Sequence, residues 1–357
     1  MKKLVLSISL FILDGLAMFV FRNWPDLFFP AYRNFSQKWI GFLSAVFDIL
    51  PYSLWDVLAL LLLITLITTF IRTLSKKRSI LKWLNNVFLF VSVLCFVAVF
   101  GWLLNHYGPS LSEELDLDVS MYSHDQLYEA TDYYFEQASK YSLKIKRDDQ
   151  YHAVRSDFKE LAEIAGHNYE ILETKYPFFK GSKRRVKQFS LVGEYLLYNG
   201  IIGMFMPVSG EASLPANVPT IPLPFTMCHE AGHRQGLAGE DEANFAAFLA
   251  SINSDDVRFV YSGYYSAFGY CLSSLYKVAP EKALELLNRY KDTAHLLVLY
   301  DRQDTADQYK KYESPLQDIS DHINDTYLKT FDEESGIESY GEVSDYLIAY
   351  YLNNVKD

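Results

Sequence analysis

Cysteine is scarce in this chain of 357 residues, with only Cys95, Cys228 and Cys271. Cys95 falls inside a long apolar run, which excludes a disulfide framework as the source of stability. Cys228 and Cys271 are free to pair, but nothing in the pattern demands it. Positive charge is also short where a nucleic-acid binder needs it. Residues 105–357 carry 23 Lys and Arg against 40 Asp and Glu, a balance of −17. Repulsion from phosphate backbones excludes nucleic acid as a partner. The short cluster Lys183, Arg184, Arg185 and Lys187 is the local exception and reads as a solvated basic loop. No internal repeat and no low-complexity tract occurs, so solenoid and disordered classes are excluded as well.

Long apolar runs are present, and they are confined to one end. Residues 1–104 carry ten basic and four acidic residues, a balance of +6 that with the −17 beyond gives the net −11. Three runs in this part are long enough to span a bilayer, at about 4–21, 53–74 and 83–104. The first opens Met1-Lys2-Lys3, as a signal peptide does. Asp14 interrupts its apolar core, however, and Phe21-Arg22-Asn23-Trp24 follows in place of a small-residue cleavage site, so an uncleaved span is expected. Between the first two spans, about 35–50, the residues Phe35, Trp39, Ile40, Phe42, Leu43 and Phe47 suit an amphipathic helix lying at the membrane interface. Asp14 and Asp56, taken as lying near span ends, are ascribed to helix packing or interfacial placement.

Orientation follows from the basic residues. Lys2 and Lys3 precede the first span, and Arg72, Lys76, Lys77, Arg78 and Lys82 separate the second from the third. Both clusters fall on one side, which the positive-inside rule makes cytoplasmic. The expectation is a multi-pass cell-membrane protein with a cytoplasmic amino terminus, an anchor over 1–104 in contact with the lipid bilayer, and an extracytoplasmic domain over 105–357.

That domain reads as mainly α with minor β content. Helical periods cover 124–141, 156–175, 226–235, 240–254, 259–275, 283–292, 308–330 and 342–352. A helix to about Tyr198 gives way to an extended stretch at Ile201–Pro207, and Val208–Pro224 is a loop rich in Gly and Pro.

Within it, His229-Glu230-Ala231-Gly232-His233 carries chemistry. Residues four apart share a helix face, so His229 and His233 can direct two imidazoles at one ion. Imidazole is a good zinc ligand, and Glu230, one step round the helix, can hold a metal-activated water and move its proton. Thr226 is the expected N-cap. A catalytic zinc needs a third protein ligand and one open position. Gly236 and Gly239 can turn the chain back, and Glu240-Asp241-Glu242-Ala243-Asn244 opens the next helix with acids where a ligand is needed. The helix dipole alone also favours acids there. The longer pattern H-E-x-x-H-x-x-G-x-x-H is excluded, because Gly239 stands where its third histidine belongs.

The two segments resemble the glutamate-type zincins, in which a second helix supplies a glutamate. In membrane-bound prenyl-protein and heat-shock peptidases that helix reads E-x-x-A-D, and in stress-response repressor-cleaving peptidases E-x-E-A-N. Glu240-Asp241-Glu242-Ala243-Asn244 matches the second, and the first except for Asn at its last position. The resemblance implies a zincin-like domain with one Zn2+ held by His229, His233 and Glu240, Glu230 as general base, and Asn244 orienting a histidine. Only six residues separate His233 from Glu240, fewer than is usual in those families, and Glu242 is the alternative third ligand. The three spans followed by an external domain of this kind also resemble, over nearly the whole chain, an uncharacterised bacterial membrane family.

Other residues near the motif are weighed against plainer roles. Gly200–Pro207 is a candidate edge strand for an extended substrate. Glu211 is read as a solvated loop acid before a contact for a substrate amine. Cys228 is read as a buried helical cysteine, and Tyr261, Tyr264 and Tyr265 as packing residues before oxyanion donors. His295 and His322 are left as core or surface residues. Two functions stay open: a zinc peptidase acting on peptides or membrane-associated proteins outside the cytoplasm, and a non-catalytic metal-stabilised membrane sensor or scaffold.

Overall fold

Three helices are long and apolar enough to cross a bilayer: α1 (Lys2–Asn23), α3 (Trp55–Ser75) and α4 (Ile80–Gly101). These bounds come from a computed structural model of the protein, which describes residues 2–119, 122–330 and 339–356. Most large side chains on the three helices are exposed, which suits an apolar surrounding. The third helix stops at Gly101, short of residue 104. Trp102 leaves helical geometry there, and a short 3-10 turn follows over Leu103–Tyr107. Asp14 sits midway along α1 rather than near a span end. It is buried, and neither carboxylate oxygen has a hydrogen-bond partner among the described residues.

The helix between the first two spans, α2 (Pro25–Phe47), is longer than the interfacial helix expected at 35–50. Its proline at the first helical position needs no N–H partner. Its buried face, Phe29, Tyr32, Ser36, Ile40 and Leu43, packs on protein. Polar side chains on that helix find backbone partners: Ser36 Oγ donates to Gly101 O at 2.9 Å, Ser44 Oγ to Gly210 O at 2.8 Å, and Gln37 Nε2 to Gln235 O at 2.9 Å. Ile40 and Leu43 belong to the same hydrophobic core as the residues beyond 105, so packing runs across the line expected to divide anchor from domain.

Beyond α4 the chain is helical with a small sheet. A short α5 (Leu111–Glu114) precedes α6 (His124–Ser142) and α7 (Phe158–Lys175). Then come β1 (Lys187–Gln188), α8 (Gly193–Tyr198), β2 (Met204–Met206) and β3 (Glu211–Leu214). The remaining helices are α9 (Leu223–His233), α10 (Glu240–Ile252), α11 (Val257–Val278), α12 (Pro280–Arg289), α13 (Thr293–Lys310), α14 (Leu316–Thr330) and α15 (Ser339–Asn354). Strand order is β1-β3-β2, with β1 parallel to β3 at Lys187↔Ser213 and β2 antiparallel to it at Phe205↔Ala212. β3 arises in the Gly/Pro-rich stretch expected to be loop, because its partners on both sides come from distant residues. α13 was not expected either, and the helix expected over 308–330 is broken at 311–315. Its low amphipathicity hides it from a periodicity argument. α9 is buried at every position and packs between α7, α10 and β3.

The basic cluster is not a solvated loop. Arg184 and Arg185 pair with Asp48, Lys183 with Glu173, and Lys187 with Glu211. Glu211 is likewise no loop acid. It lies on β3, 3% exposed, and accepts from Leu54 N at 2.9 Å and Trp55 N at 3.0 Å at the start of α3. A buried carboxylate with a lysine and two backbone donors is satisfied where an unpaired one would be costly. Asp56, 1% exposed, works in the opposite direction. Its Oδ2 accepts from Ser190 N at 2.7 Å and Leu191 N at 2.6 Å. The entrance to the second span is thus tied to the sheet side of the domain by two acids, one from each partner.

Replacing Asp56 by Ala removes the acceptor for buried N–H groups, and we expect a loss of about 1–3 kcal/mol with faster amide exchange at 190–192. Thermal unfolding and hydrogen exchange of the detergent-solubilised chain measure both, and unchanged exchange at those amides would contradict the tie.

Candidate metal centre

α9 carries both histidines on the face toward α10. Its first turn begins at Leu223 with Pro224 near the start, so Thr226 is not the N-cap. Thr226 lies inside the helix, its Oγ1 donating back to Pro222 O at 3.0 Å. The helix ends after His233 because Gly236 takes φ +98°, a left-handed conformation that other residues rarely adopt. Gly239 then caps α10, whose first residue is Glu240.

This tight return brings Glu240 back over the histidines. His229 Nε2 lies 3.2 Å from Glu240 Oε2, and His233 Nε2 lies 3.8 Å from the same oxygen. One ligand atom from each of the three residues falls within 4.8 Å of the others. Two ligands of a tetrahedral zinc are separated by about 3.3–3.5 Å, given bonds of about 2.0–2.2 Å. The observed spacings straddle that value.

The second nitrogen of each ring is occupied. His229 Nδ1 donates to Asn244 Oδ1 at 2.9 Å, and His233 Nδ1 donates to Leu237 O at 2.8 Å. Both acceptors fix the proton on Nδ1, so both Nε2 lone pairs face the carboxylate. Tyr270 donates to the same Asn244 oxygen at 3.1 Å and braces it. At 3.2 Å a proton on His229 Nε2 can bridge to Glu240, and a cation bound by all three ligand atoms would take that proton's place. The donor set therefore fits a divalent ion, and His229, His233 and Glu240 are the residues that can hold one.

Glu242 is brought elsewhere. Its Oε1 accepts from Leu111 N at 2.6 Å, at the start of α5. Glu230 is buried on the metal helix with Oε2 lacking a hydrogen-bond partner among the described residues. Gly203 lies hard against it: a Cβ built there would come within 2.2 Å of Glu230 Oε1. The residue just before β2 must therefore be glycine for the strand to approach the carboxylate. β2 is an edge of the sheet, as the candidate substrate strand needs to be.

Electrostatics follow from burial. Burial pushes the Glu230 carboxyl up to about 8, with His229 opposing and Glu240 reinforcing the shift. Burial lowers His233 to about 4 against the pull of Glu240. Burial also acts to lower His229, but its hydrogen bond to Glu240 and the charges of Glu240 and Glu230 outweigh this and raise it.

Sequence reasoning missed several contributors. Trp102 Nε1 donates to His233 O at 2.9 Å, and its ring lies 6.0 Å from the His233 ring. Phe205 packs tilted against Trp102, ring centroids 5.0 Å apart, and also lies over the His233 ring at 6.2 Å. A lone tryptophan at the end of an apolar run was the only available signal, and membrane interfaces explain such residues equally well. Tyr270 was also missed, while the three tyrosines considered go elsewhere. Tyr261 and Tyr265 hydrogen-bond Asp301, and Tyr264 packs among Tyr133, Tyr141 and Phe248. Cys228 is a buried, unpaired thiol pushed up to about 12 by burial, as expected of a structural cysteine, and Cys271 is also unpaired. His295 is a core residue stacked on Tyr290.

Residues 32–348 match a family model described as "Protein of unknown function (DUF3810)". The chain belongs to that family. No curated protein and no solved structure matches it. The matched stretch begins within α2 and takes in α3, α4 and the whole His229–Glu240 cluster, so membrane helices and cluster fall within one family unit.

Two measurements test this geometry. In zinc competition against a chromogenic chelator, Asn244→Ala should weaken binding about 10–100-fold and Glu240→Ala more, while Glu242→Ala leaves it unchanged. Stronger loss in the Glu242 variant would exchange the roles. In metal-free protein the folded state keeps the Glu230 proton up to about pH 8, whereas the unfolded chain releases it near about 4.3. Wild-type stability therefore falls as pH rises through that window. Metal-free Glu230→Gln should melt above wild type beyond pH ~8 and converge with it near pH ~4. A gap independent of pH would show that Glu230 is not the group responsible.

Proposed function

We propose that the chain is a membrane-anchored zinc metallopeptidase of the glutamate-zincin kind, hydrolysing peptide bonds outside the cytoplasm. The observation that carries this reading is the convergence of two Nε2 atoms and one carboxylate oxygen beside a separate buried carboxylate, Glu230, whose Oε2 has no hydrogen-bond partner among the described residues. A purely structural site has no use for that fourth group. His229, His233 and Glu240 would hold the ion, with Asn244 and Leu237 O fixing the rings. When bound, zinc supplies Lewis acidity toward a water and a substrate carbonyl.

The chain's own residues do the rest. Glu230 takes a proton from the attacking water at its free oxygen and returns it to the leaving amine. Its raised proton affinity suits a carboxylate that must hold that proton between the two transfers. β2, open along one edge, offers backbone groups to an extended peptide, and Gly203 lets that strand pass close to Glu230. The orientation argued from the basic residues puts this machinery on the extracytoplasmic side.

A non-catalytic metal-stabilised sensor or scaffold is the rival, and Glu230→Gln separates the two. The variant should keep its zinc and lose about 10²–10⁴-fold in kcat on a mixed peptide library. Zinc-loaded wild type without hydrolysis of any peptide would favour the scaffold.

A further inference from the structure

The end of α4 is fastened to the cluster directly, and the start of α3 is fastened to the segment that leads toward it. α4 ends at Gly101, and the indole of the next residue donates to the backbone of His233. α3 begins at Trp55, and Asp56 in its first turn holds the backbone of Ser190 and Leu191. Leu191 opens a segment in which three apolar side chains are exposed, Leu191 at 55%, Tyr195 at 61% and Ile202 at 38%, while Leu197 is buried. The turn before α3 adds Ile49, Leu50 and Tyr52, all exposed, and Tyr52 bridges to Gln188 beside that segment. Joined through Tyr52 and Asp56, these exposed residues make a collar beside the first turn of α3. Exposed apolar side chains grouped this way call for a covering partner. Continuity with the span entrance says what it is, because tyrosine and aliphatic side chains are favoured at the headgroup boundary. The collar also leads onward: Ile202 is followed by Gly203, pressed against Glu230, and then by the open edge of β2.

We infer that the collar seats on the lipid headgroup layer and that the site acts on membrane-anchored proteins, cutting the stretch that emerges beside the anchor. This rests on the peptidase reading above. One tryptophan side chain separates the end of α4 from His233; with the end of α4 taken as the hydrocarbon boundary, the site stands about 10 Å out, just beyond a headgroup layer about 5–7 Å deep. An extended chain covers that height in about three residues, and filling β2 takes a few more. Cleavage is therefore confined to about the first eight residues past the anchor. A bond much farther out is no better presented than one in a free peptide.

The full-length, zinc-loaded protein in liposomes tests this in two arms. In the first, single cysteines replace Tyr195 and, as a control, Glu285 on the exposed face of α12, in a Cys95→Ser background. Each carries a nitroxide label whose accessibility to oxygen and to a water-soluble nickel chelate gives its depth. The label at 195 should report the headgroup–acyl boundary and the label at 285 bulk water; equal, water-like values overturn the seating. In the second, one cleavable sequence is placed behind spacers of about four to thirty residues from a transmembrane helix in the same liposomes. Tethering raises local concentration for every spacer, so the dependence on length is the readout. Spacers up to about eight residues should be cut at least tenfold faster than about thirty, and Tyr195→Asp should erase that advantage while free peptide is still cut. Equal rates at all lengths overturn the inference and leave the peptidase standing. No cleavage of tethered or free substrate by zinc-loaded protein overturns the peptidase and this substrate class together, while the depth arm still reports whether the collar seats.

Discussion

Two imidazole lone pairs and a carboxylate are held face to face in a buried pocket, and much of the surrounding structure serves to keep them there. Left alone, such groups separate or protonate. Here each is fixed from behind. Asn244 and Leu237 O hold the two Nδ1 protons, Tyr270 holds Asn244, and the turn through Gly236 sets Glu240 opposite the rings. The short link between the two helices limits how far Glu240 can withdraw. The donor set could hold a divalent cation of zinc's size and ligand preference.

The same economy joins the centre to the apolar helices. Trp102 is at once the residue that ends α4 and a hydrogen-bond donor to the metal helix. Glu211 and Asp56 exchange caps across the start of α3, each accepting backbone N–H groups from the other's segment. Arg184 and Arg185 hold Asp48 at the end of α2. Such contacts make the apolar helices part of the same packing as the cluster rather than a flexible tether.

Much of this was legible in the chain itself. Three apolar runs gave three long helices, because a bilayer-length run of Leu, Val, Ile and Phe has few alternatives. The i, i+4 histidines and the acid at the next helix start gave the cluster, because helical spacing and one glycine turn suffice to bring them together. What escaped was everything satisfied by distant residues. Charge patterning marked Lys183 to Lys187 and Glu211 as polar but could not show that Lys187 pairs with Glu211 in the interior, or that Arg184 and Arg185 meet Asp48 and Lys183 meets Glu173. β3 has no strand pattern of its own and exists because β1 and β2 flank it.

The sequence by itself determined the division into apolar helices and a helical domain, the identity of the two imidazoles, and the presence of candidate acids. Those properties depend on residue type and near-neighbour spacing. Only the tertiary structure decided between the acids, turning Glu240 toward the rings and Glu242 toward Leu111 N. It alone set Trp102 behind His233 and Gly203 against Glu230, across separations of more than a hundred and of 27 residues respectively. Such contacts are chosen by which surfaces remain to be buried once the helices have formed, and no local pattern encodes that choice.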